Sequence, residues 1–206
     1  MKRCVIGLVG TSGSGKNEVA TCFAKYDAGV IDADEIAREV LDEHAGEVIA
    51  MFEAACPEVK NPDGTCNKAA LRELLFSDEV YLRQHESFIL PLIENKIRSQ
   101  IEDMQERLIV LNAPTLHKTS LIKTVDCIVY VTANLFIRAM RIWKRDSLSL
   151  KNIMLRFKNQ KNFFAEYKKS KKPIVVIENN GTKKTLKKKV DELVASCNCI
   201  QKTLQQ

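Results

Sequence analysis

The sequence has no apolar run long enough to cross a membrane as a helix, which would need about 20 mostly apolar residues. It also has no internal repeat and no linker that would join independent domains. The apolar run after Met1, Lys2 and Arg3 is too short for a signal peptide. We therefore expect a soluble cytoplasmic protein without a membrane partner, folded as a single domain over residues 1–206.

Aromatic residues are scarce, at 6% of the chain, although the last third is strongly basic. Residues 141–206 carry 17 Lys and Arg against 5 Asp and Glu, whereas residues 1–140 carry 15 against 21. A basic segment can serve nucleic-acid binding, a solvated face or a site for a highly charged small molecule. With so few aromatic residues among the charges, nucleic acid is an unlikely partner. The lysine-rich stretch near the end predicts an exposed helix face opposite Leu186, Val190, Leu193 and Val194.

Histidine is rare too, with 3 in the chain, and none stands near the closely spaced Cys197 and Cys199. These two cysteines are closer together than in a usual zinc motif, so we expect no metal there. The cysteines are odd in number and mostly lie in apolar patterns, which predicts reduced core residues. The 7 cysteines are Cys4, Cys22, Cys56, Cys66, Cys127, Cys197 and Cys199.

What the chain does have is a glycine-rich segment directly after an apolar run. Its glycines permit backbone angles at which N–H groups can surround phosphate oxygens, and a following helix would add the positive end of its dipole. Lys16 would reach the β- and γ-phosphates. A glycine-rich segment can be a simple turn, but strand, loop, Gly-Lys pair and helix together predict a nucleotide-binding phosphate loop. It consists of Gly10, Thr11, Ser12, Gly13, Ser14, Gly15, Lys16 and Asn17.

Short apolar runs recur along the chain between segments of helical spacing, which predicts a parallel sheet with crossover helices. Because the runs are apolar on both faces, they fit strands covered from both sides. The predicted fold class is therefore three-layer α/β with a parallel five-stranded sheet. The runs are residues 5–9, 30–31, 108–111, 127–131 and 174–177.

Two segments are too long to be single crossovers. Residues 37–106 contain helical patterns broken at Pro57, Pro62 and Pro91, and we assign them to an inserted helical lobe. Residues 141–171 are helical in pattern and dense in Arg and Lys, as a lid that closes over phosphates would be. The core then comprises approximately residues 1–36, 107–140 and 172–206.

Asp32 and Asp34 follow the second apolar run, at the strand end where ligands bind in open parallel sheets. Such carboxylates could orient a hydroxyl, accept its proton or bind Mg²⁺ through water. Their alternative role is helix capping, because Asp34 precedes a helical pattern, and a capping carboxylate can still serve catalysis. The phosphate-loop pattern normally ends in Ser or Thr, whose hydroxyl binds Mg²⁺. Here Asn17 would offer an amide oxygen, so we expect Mg²⁺ to be held weakly by Asn17 and Asp32.

Arginines in the predicted lid are further candidates. Arg141 and Arg145 share one helix face, and Arg156 follows on the next helical segment with Gln160. Guanidinium forks suit the charge of a transferring phosphoryl group. The alternative is a surface helix on which Arg145 pairs with Asp146.

In their order along the chain, these motifs resemble the dephospho-CoA kinase family over essentially its whole length. The phosphate loop alone indicates a nucleotide, whereas Ile-Asp-Ala-Asp after it and Asn-Asn-Gly after the last run are more discriminating. The matching segments include residues 10–16, 30–38, 63–76, 91–93, 113–114, 141–146, 156–160 and 179–181.

The resemblance implies ATP-dependent phosphorylation of the ribose 3′-hydroxyl of dephospho-CoA, which gives CoA and ADP in the final step of coenzyme A synthesis. It implies a P-loop kinase fold with a helical CoA lobe and lid, and Mg²⁺ bound with ATP. Asp34 would accept the hydroxyl proton, Lys16 would steady the phosphates and Arg141 would neutralise charge from the lid. The remaining implied positions are Arg145 with Asn179, Asn180 and Gly181 for the nucleotide, and Asp32, Lys68 and Arg156 as support on the substrate or metal side.

The chain departs from the family pattern at several positions besides Asn17. Leu90 replaces a usual His, Asn112 a usual Asp, Lys118 a usual Glu and Lys68 a usual Arg. These departures leave two alternatives, another small-molecule P-loop kinase or a degenerate, non-catalytic binder of nucleotide or CoA. A basic protein that binds nucleic acid through residues 141–206 is a third reading, and the sequence predicts no particular oligomeric state.

Overall fold

The computed structural model describes residues 3–204 of the chain. Within these residues, five strands form one sheet in the order β2-β3-β1-β4-β5, and every neighbouring pair is parallel. The prediction of a five-stranded parallel sheet is confirmed, and each strand contains one of the apolar runs. The strands are β1 (Cys4–Gly10), β2 (Gly29–Asp32), β3 (Leu108–Asn112), β4 (Cys127–Thr132) and β5 (Ile174–Glu178).

Helices occupy most of the remaining chain. They are α1 (Lys16–Phe23), α2 (Ala33–Glu43), α3 (Ala45–Phe52), α4 (Lys68–Ser77), α5 (Glu79–Asp103), α6 (Leu135–Asp146), α7 (Leu150–Asn159), α8 (Phe163–Lys168), α9 (Lys183–Ser196) and α10 (Asn198–Leu204). Short 3₁₀ turns lie at Ala24–Tyr26, Pro57–Val59, Leu116–Lys118 and Ser120–Lys123. Across residues 3–204, no helix is both long and apolar enough to cross a membrane.

Helices cover both faces of the sheet, which gives three layers. On one face, Ile6 of β1 belongs to the same hydrophobic cluster as Phe23 of α1 and Val190 of α9. On the other face, the ring of Tyr130 in β4 lies 6.1 Å from that of Tyr167 in α8. The expected exposed lysine face is confirmed, because the buried side of α9 consists of Leu186, Val190, Leu193 and Val194.

The expectation that all strands are covered from both sides is wrong at the two edges of the sheet. β1 and β3 are buried along their whole length, whereas Val30 of β2 is 43% exposed and Val176 of β5 is 46% exposed. The helices cover the middle of the sheet more completely than its edge strands. Apolar runs alone do not distinguish these positions, because Val30 and Val176 are as apolar as their buried neighbours.

The chain divides into two compact units. One unit contains the sheet and consists of the residues up to Asp32 together with those from Gln100 onward. The other unit is the helical segment Ala33–Ser99. The core of the helical unit includes the fully buried Val48, Phe52 and Val59. The assignment of residues 37–106 to a substrate lobe stays a prediction.

The expected helix break at Pro91 is wrong, because Pro91 lies inside the continuous helix α5. A proline removes one helical hydrogen bond, but burial of apolar side chains along the same helix can outweigh that loss. Ile89 and Ile97 of α5 are both buried. Tertiary packing therefore maintains a helix that local propensity would interrupt.

Candidate active site

The phosphate loop connects the end of β1 to the start of α1, as the sequence predicts. Gly13 and Gly15 have φ values of 76° and 89°, which lie in the left-handed region that favours glycine. A Cβ atom on Gly13 would lie 2.7 Å from the backbone oxygen of Arg138, and one on Gly15 would collide with the side chain of Asn179. Glycine is therefore required at both positions by conformation and by space.

Three side chains bind the backbone carbonyls of this loop, and we call Arg138, Arg141 and Asn179 the loop clamp. Arg138 Nε donates to the Ser12 oxygen at 2.9 Å, and Asn179 Nδ2 donates to the Ser14 oxygen at 2.9 Å. Arg141 donates to the oxygens of Ser14 and Asn179, each at 3.2 Å. Because the clamp satisfies loop carbonyls with donors, it fixes the backbone on which phosphate binding depends.

Arg138 is the most enclosed member of the loop clamp. Only 7% of this residue is exposed, and its guanidinium lies 4.3 Å from the ring centre of Phe157 in α7. Burial lowers the pKa of Arg138, but an arginine remains protonated at neutral pH. The sequence analysis missed Arg138, although it lies three residues before Arg141 on the same helix.

Two phosphate-binding groups of the loop are engaged by the protein itself. The Ser12 N–H donates to Gln160 Oε1 at 2.8 Å, and Lys16 Nζ donates to the Gly10 oxygen at 3.2 Å. A phosphate oxygen is a stronger acceptor for both donors, because it carries a negative charge. A phosphate could therefore replace Gln160 Oε1 and the Gly10 oxygen as the acceptors for these two donors.

Buried polar atoms without partners also mark this region. Among the residues that the structure describes, Thr11 Oγ1 and Ser14 Oγ are buried and make no hydrogen bond. Most buried polar atoms in folded proteins have a partner, so an exception needs an explanation. Two such hydroxyls in one loop indicate that a bound ligand would supply the missing hydrogen-bond partners.

The ends of β2 and β3 form a second cluster beside the loop, which we call the amide cluster and which contains Asn17, Asp32 and Asn112. Asn112 Nδ2 donates to Asn17 Oδ1 and to Asp32 Oδ2, each at 3.1 Å. Asn112 Oδ1 is buried without a hydrogen-bond partner within residues 3–204. Carboxylate and amide oxygens are ligands that Mg²⁺ accepts, so the cluster fits this ion, although it contains a single negative charge.

Asp34 lies in the first turn of α2, which begins directly after β2. The backbone oxygen of Asp34 accepts a hydrogen bond from Arg38 Nε at 3.1 Å. A carboxylate in the first turn of a helix also interacts favourably with the helix dipole, so the capping alternative remains open. Its role as the catalytic base stays a prediction.

The tripeptide after β5 contacts the loop from the other side. Asn179 is buried and belongs to the loop clamp, and Asn180 Oδ1 accepts a hydrogen bond from the Asn134 N–H at 2.7 Å. A cavity of about 260 Å³ is bordered by Gly15, Arg141, Asn179 and Gly181, among others. This cavity is a candidate adenine site next to the loop.

The other two predicted lid arginines contact Asp146. Arg145 Nε and Arg156 NH1 lie 2.6 Å and 2.7 Å from its carboxylate oxygens. Hydrogen bonds from Arg145 first, and from Arg156, lower the pKa of Asp146 to about 2. The sequence alternative of an Arg145 and Asp146 pair is therefore present, with Arg156 as an additional partner.

Lys68 lies at the start of α4 in the helical unit, where its ammonium pairs with Asp42 at 2.7 Å. Together with Arg72, Glu73 and the exposed Phe76 of the same helix, it lines an open groove of about 790 Å³. A groove with basic and aromatic side chains can accept a molecule that combines phosphates with apolar parts. Lys68 is therefore placed where it could bind an anionic ligand.

Comparisons with known proteins identify the family. The family model for dephospho-CoA kinase matches residues 4–185. The chain belongs to the dephospho-CoA kinase family. The dephospho-CoA kinase of Treponema denticola is 44% identical to this chain over 194 residues, which cover 90% of this chain and 86% of that protein. The dephospho-CoA kinase of Treponema pallidum is 34% identical, with coverage of 91% and 92%.

Solved structures support the fold of this dephospho-CoA kinase family member. A Thermus thermophilus protein superposes with a TM-score of 0.81 at 25% identity, covering 96% of this chain and 100% of that one. A dephospho-CoA kinase from Campylobacter jejuni superposes with a TM-score of 0.68 at 20% identity, with coverage of 93% and 95%. A shikimate kinase from Acinetobacter baumannii has a TM-score of 0.56 at 19% identity, with coverage of 95% of both chains. The last two show the fold alone.

The departures from the dephospho-CoA kinase pattern differ in their surroundings. Asn17 and Asn112 form the amide cluster with Asp32, so two departures contact each other directly. Leu90 is half-buried in α5, and Lys118 ends the 3₁₀ turn at Leu116–Lys118. The two asparagines are therefore the departures that bear on chemistry at the loop.

Proposed function

We propose that this protein transfers the γ-phosphoryl group of ATP to the ribose 3′-hydroxyl of dephospho-CoA, giving CoA and ADP, in the cytoplasm. The observation that carries the proposal is the phosphate loop with its clamp, in a chain of the dephospho-CoA kinase family. Phosphoryl transfer depends mainly on positioning and on charge stabilisation. A loop whose backbone is held in advance contributes to both.

The nucleotide would bind with its phosphates on the loop N–H groups and at the start of α1. Lys16 would exchange its bond to the Gly10 oxygen for the β- and γ-phosphates, and Gln160 would release the Ser12 N–H. The adenine would lie in the cavity beside Asn179 and Gly181. Each exchange replaces a neutral acceptor by an anionic one, which favours binding.

We include Mg²⁺ as the cofactor that accompanies ATP and neutralises phosphate charge when bound. The amide cluster would hold it, through Asp32 with help from the oxygens of Asn17 and Asn112. Hydrogen bonds from Asn112 Nδ2 orient the side chains of Asn17 and Asp32. Since Asp32 supplies the single protein charge, most of the remaining ligands would be phosphate oxygens and water.

The acceptor would bind through the helical unit. Lys68 and the groove beside Phe76 would take the phosphate-bearing part of dephospho-CoA. Asp34 would accept the proton of the 3′-hydroxyl as this oxygen attacks the γ-phosphorus. Arg141 would stabilise negative charge from the lid, with Arg145 and Arg156 as further nucleotide and support positions.

A direct assay tests this proposal. Purified protein should convert dephospho-CoA to CoA with ATP and Mg²⁺. Lys16→Ala and Asp34→Asn should each lower turnover at least about a hundredfold, the order expected for loss of one positioned catalytic group. Glu35→Gln is the matched control for Asp34→Asn, because it neutralises the adjacent carboxylate in the same helical turn, and it should retain near wild-type turnover.

Other outcomes would replace the proposal. ATP binding without turnover would indicate a non-catalytic binder, which the two asparagines of the amide cluster make the leading alternative. Turnover with another hydroxyl acceptor in place of dephospho-CoA would retain the kinase and change its substrate. Equal loss in Glu35→Gln and Asp34→Asn would remove the specific assignment of Asp34 as the base.

A further inference from the structure

Four of the 7 cysteines converge at the end of the sheet where the strands begin, opposite the end that bears the phosphate loop. Cys4 is the first residue of β1 and Cys127 the first of β4, so both lie at the beginnings of parallel strands. Cys197 and Cys199 flank the start of α10, directly after α9. Three chain segments distant in sequence thus bring thiols to one place, which we call the thiol cluster.

Three sulfur atoms of this cluster lie close to one another. The Sγ atoms of Cys127, Cys197 and Cys199 all lie within 4.8 Å of one another. The Sγ of Cys197 is 3.1 Å from that of Cys199 and 4.0 Å from that of Cys127. Cys4 belongs to the same hydrophobic cluster, against which Cys197 and Cys199 pack.

These distances can be compared with those of metal–thiolate centres. A metal–sulfur bond of about 2.3 Å separates sulfurs by about 3.8 Å in a tetrahedron and about 4.0 Å in a planar triangle. The separation of Cys197 and Cys127 matches the trigonal value, whereas that of Cys197 and Cys199 is shorter than both values. Rotation of the Cys197 and Cys199 side chains would widen the shorter one. Thiolate sulfur selects soft metal ions such as Zn²⁺ and Cu⁺ over hard ones such as Mg²⁺.

We propose that the thiol cluster is a binding site for a soft, thiophilic metal ion. Cys127, Cys197 and Cys199 supply three thiolate ligands, and a water molecule or another exchangeable group completes the coordination where the ion is tetrahedral. Each metal–sulfur bond that forms displaces one thiol proton to solvent, so no oxidant or reductant is needed. The site is distinct from the amide cluster, whose ligands are oxygen atoms at the opposite strand ends.

The position of the thiol cluster indicates how a bound ion would affect the stability of the fold. Cys197 and Cys199 lie at the junction of α9 and α10, whereas Cys127 belongs to β4, which pairs with the central strand β1. A shared ion would tie the last helix to the middle of the sheet. Binding to the folded chain would then raise its stability, as for structural metal sites.

Sequence spacing alone does not indicate this site. Cys197 and Cys199 are closer together than in usual zinc motifs, and Cys127 lies 70 residues before Cys197. Cysteines in a core can also act as small apolar side chains. The proposal differs from that alternative because it requires a stoichiometric ion.

Metal titration of the full-length protein tests the proposal. The chain is reduced with a phosphine, stripped of metal with a chelator, and titrated with Zn²⁺ or Cu⁺ against a chromophoric chelator. We expect one tightly bound ion of at least one of these metals. The double variant Cys197→Ser with Cys199→Ser should lose it, whereas the matched double variant Cys22→Ser with Cys56→Ser, which removes two half-buried thiols elsewhere, should retain it.

A second measurement uses the unaltered chain, in case the double variant folds poorly. Alkylation of Cys197 and Cys199, followed by peptide mass spectrometry, should slow about tenfold or more with one equivalent of metal, because a coordinated thiolate is shielded. Alkylation of Cys22 and Cys56 should not change. Absence of protection, retention of the ion by the Cys197 and Cys199 double variant, or a disulfide between these residues in the reduced, metal-treated chain would each overturn the proposal.

Discussion

The loop clamp and the amide cluster lie on two sides of one phosphate loop, and they are built from different chemistry. The clamp brings two guanidinium cations and a buried amide to the loop carbonyls. The amide cluster brings one carboxylate and two neutral side chains together, and it leaves Asn112 Oδ1 buried without a partner among the described residues. The side chains of the loop clamp are held by the loop carbonyls, whereas the amide cluster retains a buried acceptor without a donor in the described part of the chain.

This difference shows which half of the site the chain organises by itself. The backbone of the anion-binding half is fixed by hydrogen bonds within the protein, so little backbone ordering remains to be done when phosphate binds. The proposed cation-binding half has one formal charge and would depend on the ligand and the metal to complete it. Substitutions in the two regions should therefore have different signatures.

Among substitutions that compare the two regions, the largest effect is expected from Arg141→Lys in the loop clamp. A lysine ammonium keeps the charge but cannot span the loop carbonyls and the Asn179 carbonyl as a planar guanidinium does. Loss of one charge-assisted hydrogen bond costs about 1.5–3 kcal/mol, which corresponds to about a ten- to hundredfold weaker ATP affinity. Isothermal titration with ATP would measure this loss.

Arg83→Lys is the control for this substitution, because Arg83 is exposed on α5 and pairs with Glu79. It should leave ATP affinity unchanged. If Arg141→Lys also kept wild-type affinity while Arg141→Ala did not, charge alone would be sufficient. Arg141 would then act as a cation facing the phosphates rather than as a donor that holds the loop.

Sequence patterns were informative about features that depend on residues close together in the chain. The glycines and Lys16 can be interpreted from spacing, because loop conformation and helix start depend on neighbouring residues. The apolar runs predicted the five strands for the same reason. Arg138, in contrast, contacts Ser12 across 126 residues, and Gln160 contacts the same residue across 148. No local pattern relates residues at such separations, so these contacts could be identified only from the folded structure.

The amide cluster was partly predictable. Asn17 and Asp32 were candidate Mg²⁺ ligands from sequence, and Asn112 was noticed as a departure from the family pattern. Their mutual hydrogen bonds depend on the register of β2 with β3, in which Asp32 is the partner of Asn112. Register is a property of the assembled sheet, and this contact therefore could not be derived from composition or spacing.

Asn112→Asp should make the amide cluster more like a charged metal site. The new carboxylate would lie next to Asp32, so repulsion should lower stability by about 1–2 kcal/mol without metal. Mg²⁺ should reverse this loss, and the Mg²⁺ concentration for half-maximal turnover should fall about three- to tenfold, because a second carboxylate binds the ion. Urea unfolding with and without Mg²⁺, together with a Mg²⁺ titration of turnover, would measure both effects.

Asn95→Asp is the control, since it adds the same charge at an exposed position of α5. It should alter neither the Mg²⁺ requirement nor the effect of Mg²⁺ on unfolding. An Asn112→Asp protein with unchanged Mg²⁺ dependence would mean that the amide cluster does not face the metal. The loop clamp and the amide cluster would then differ in how they affect stability, and not in metal binding.

The smallest effect is expected at Asp146, which pairs with Arg145 and Arg156 of the predicted lid. Because its folded-state pKa is lowered to about 2, its contribution to stability is present above about pH 4 and is lost as the pH falls towards 2. Asp146→Asn should therefore be about 1 kcal/mol less stable than wild type at neutral pH, with a difference that shrinks below pH 4. Urea unfolding across this range measures it, with Glu192→Gln, from an exposed pair with Lys188, as the control. A difference that is unchanged between pH 6 and pH 2 would show that Asp146 stabilises the lid by packing and not by its charge.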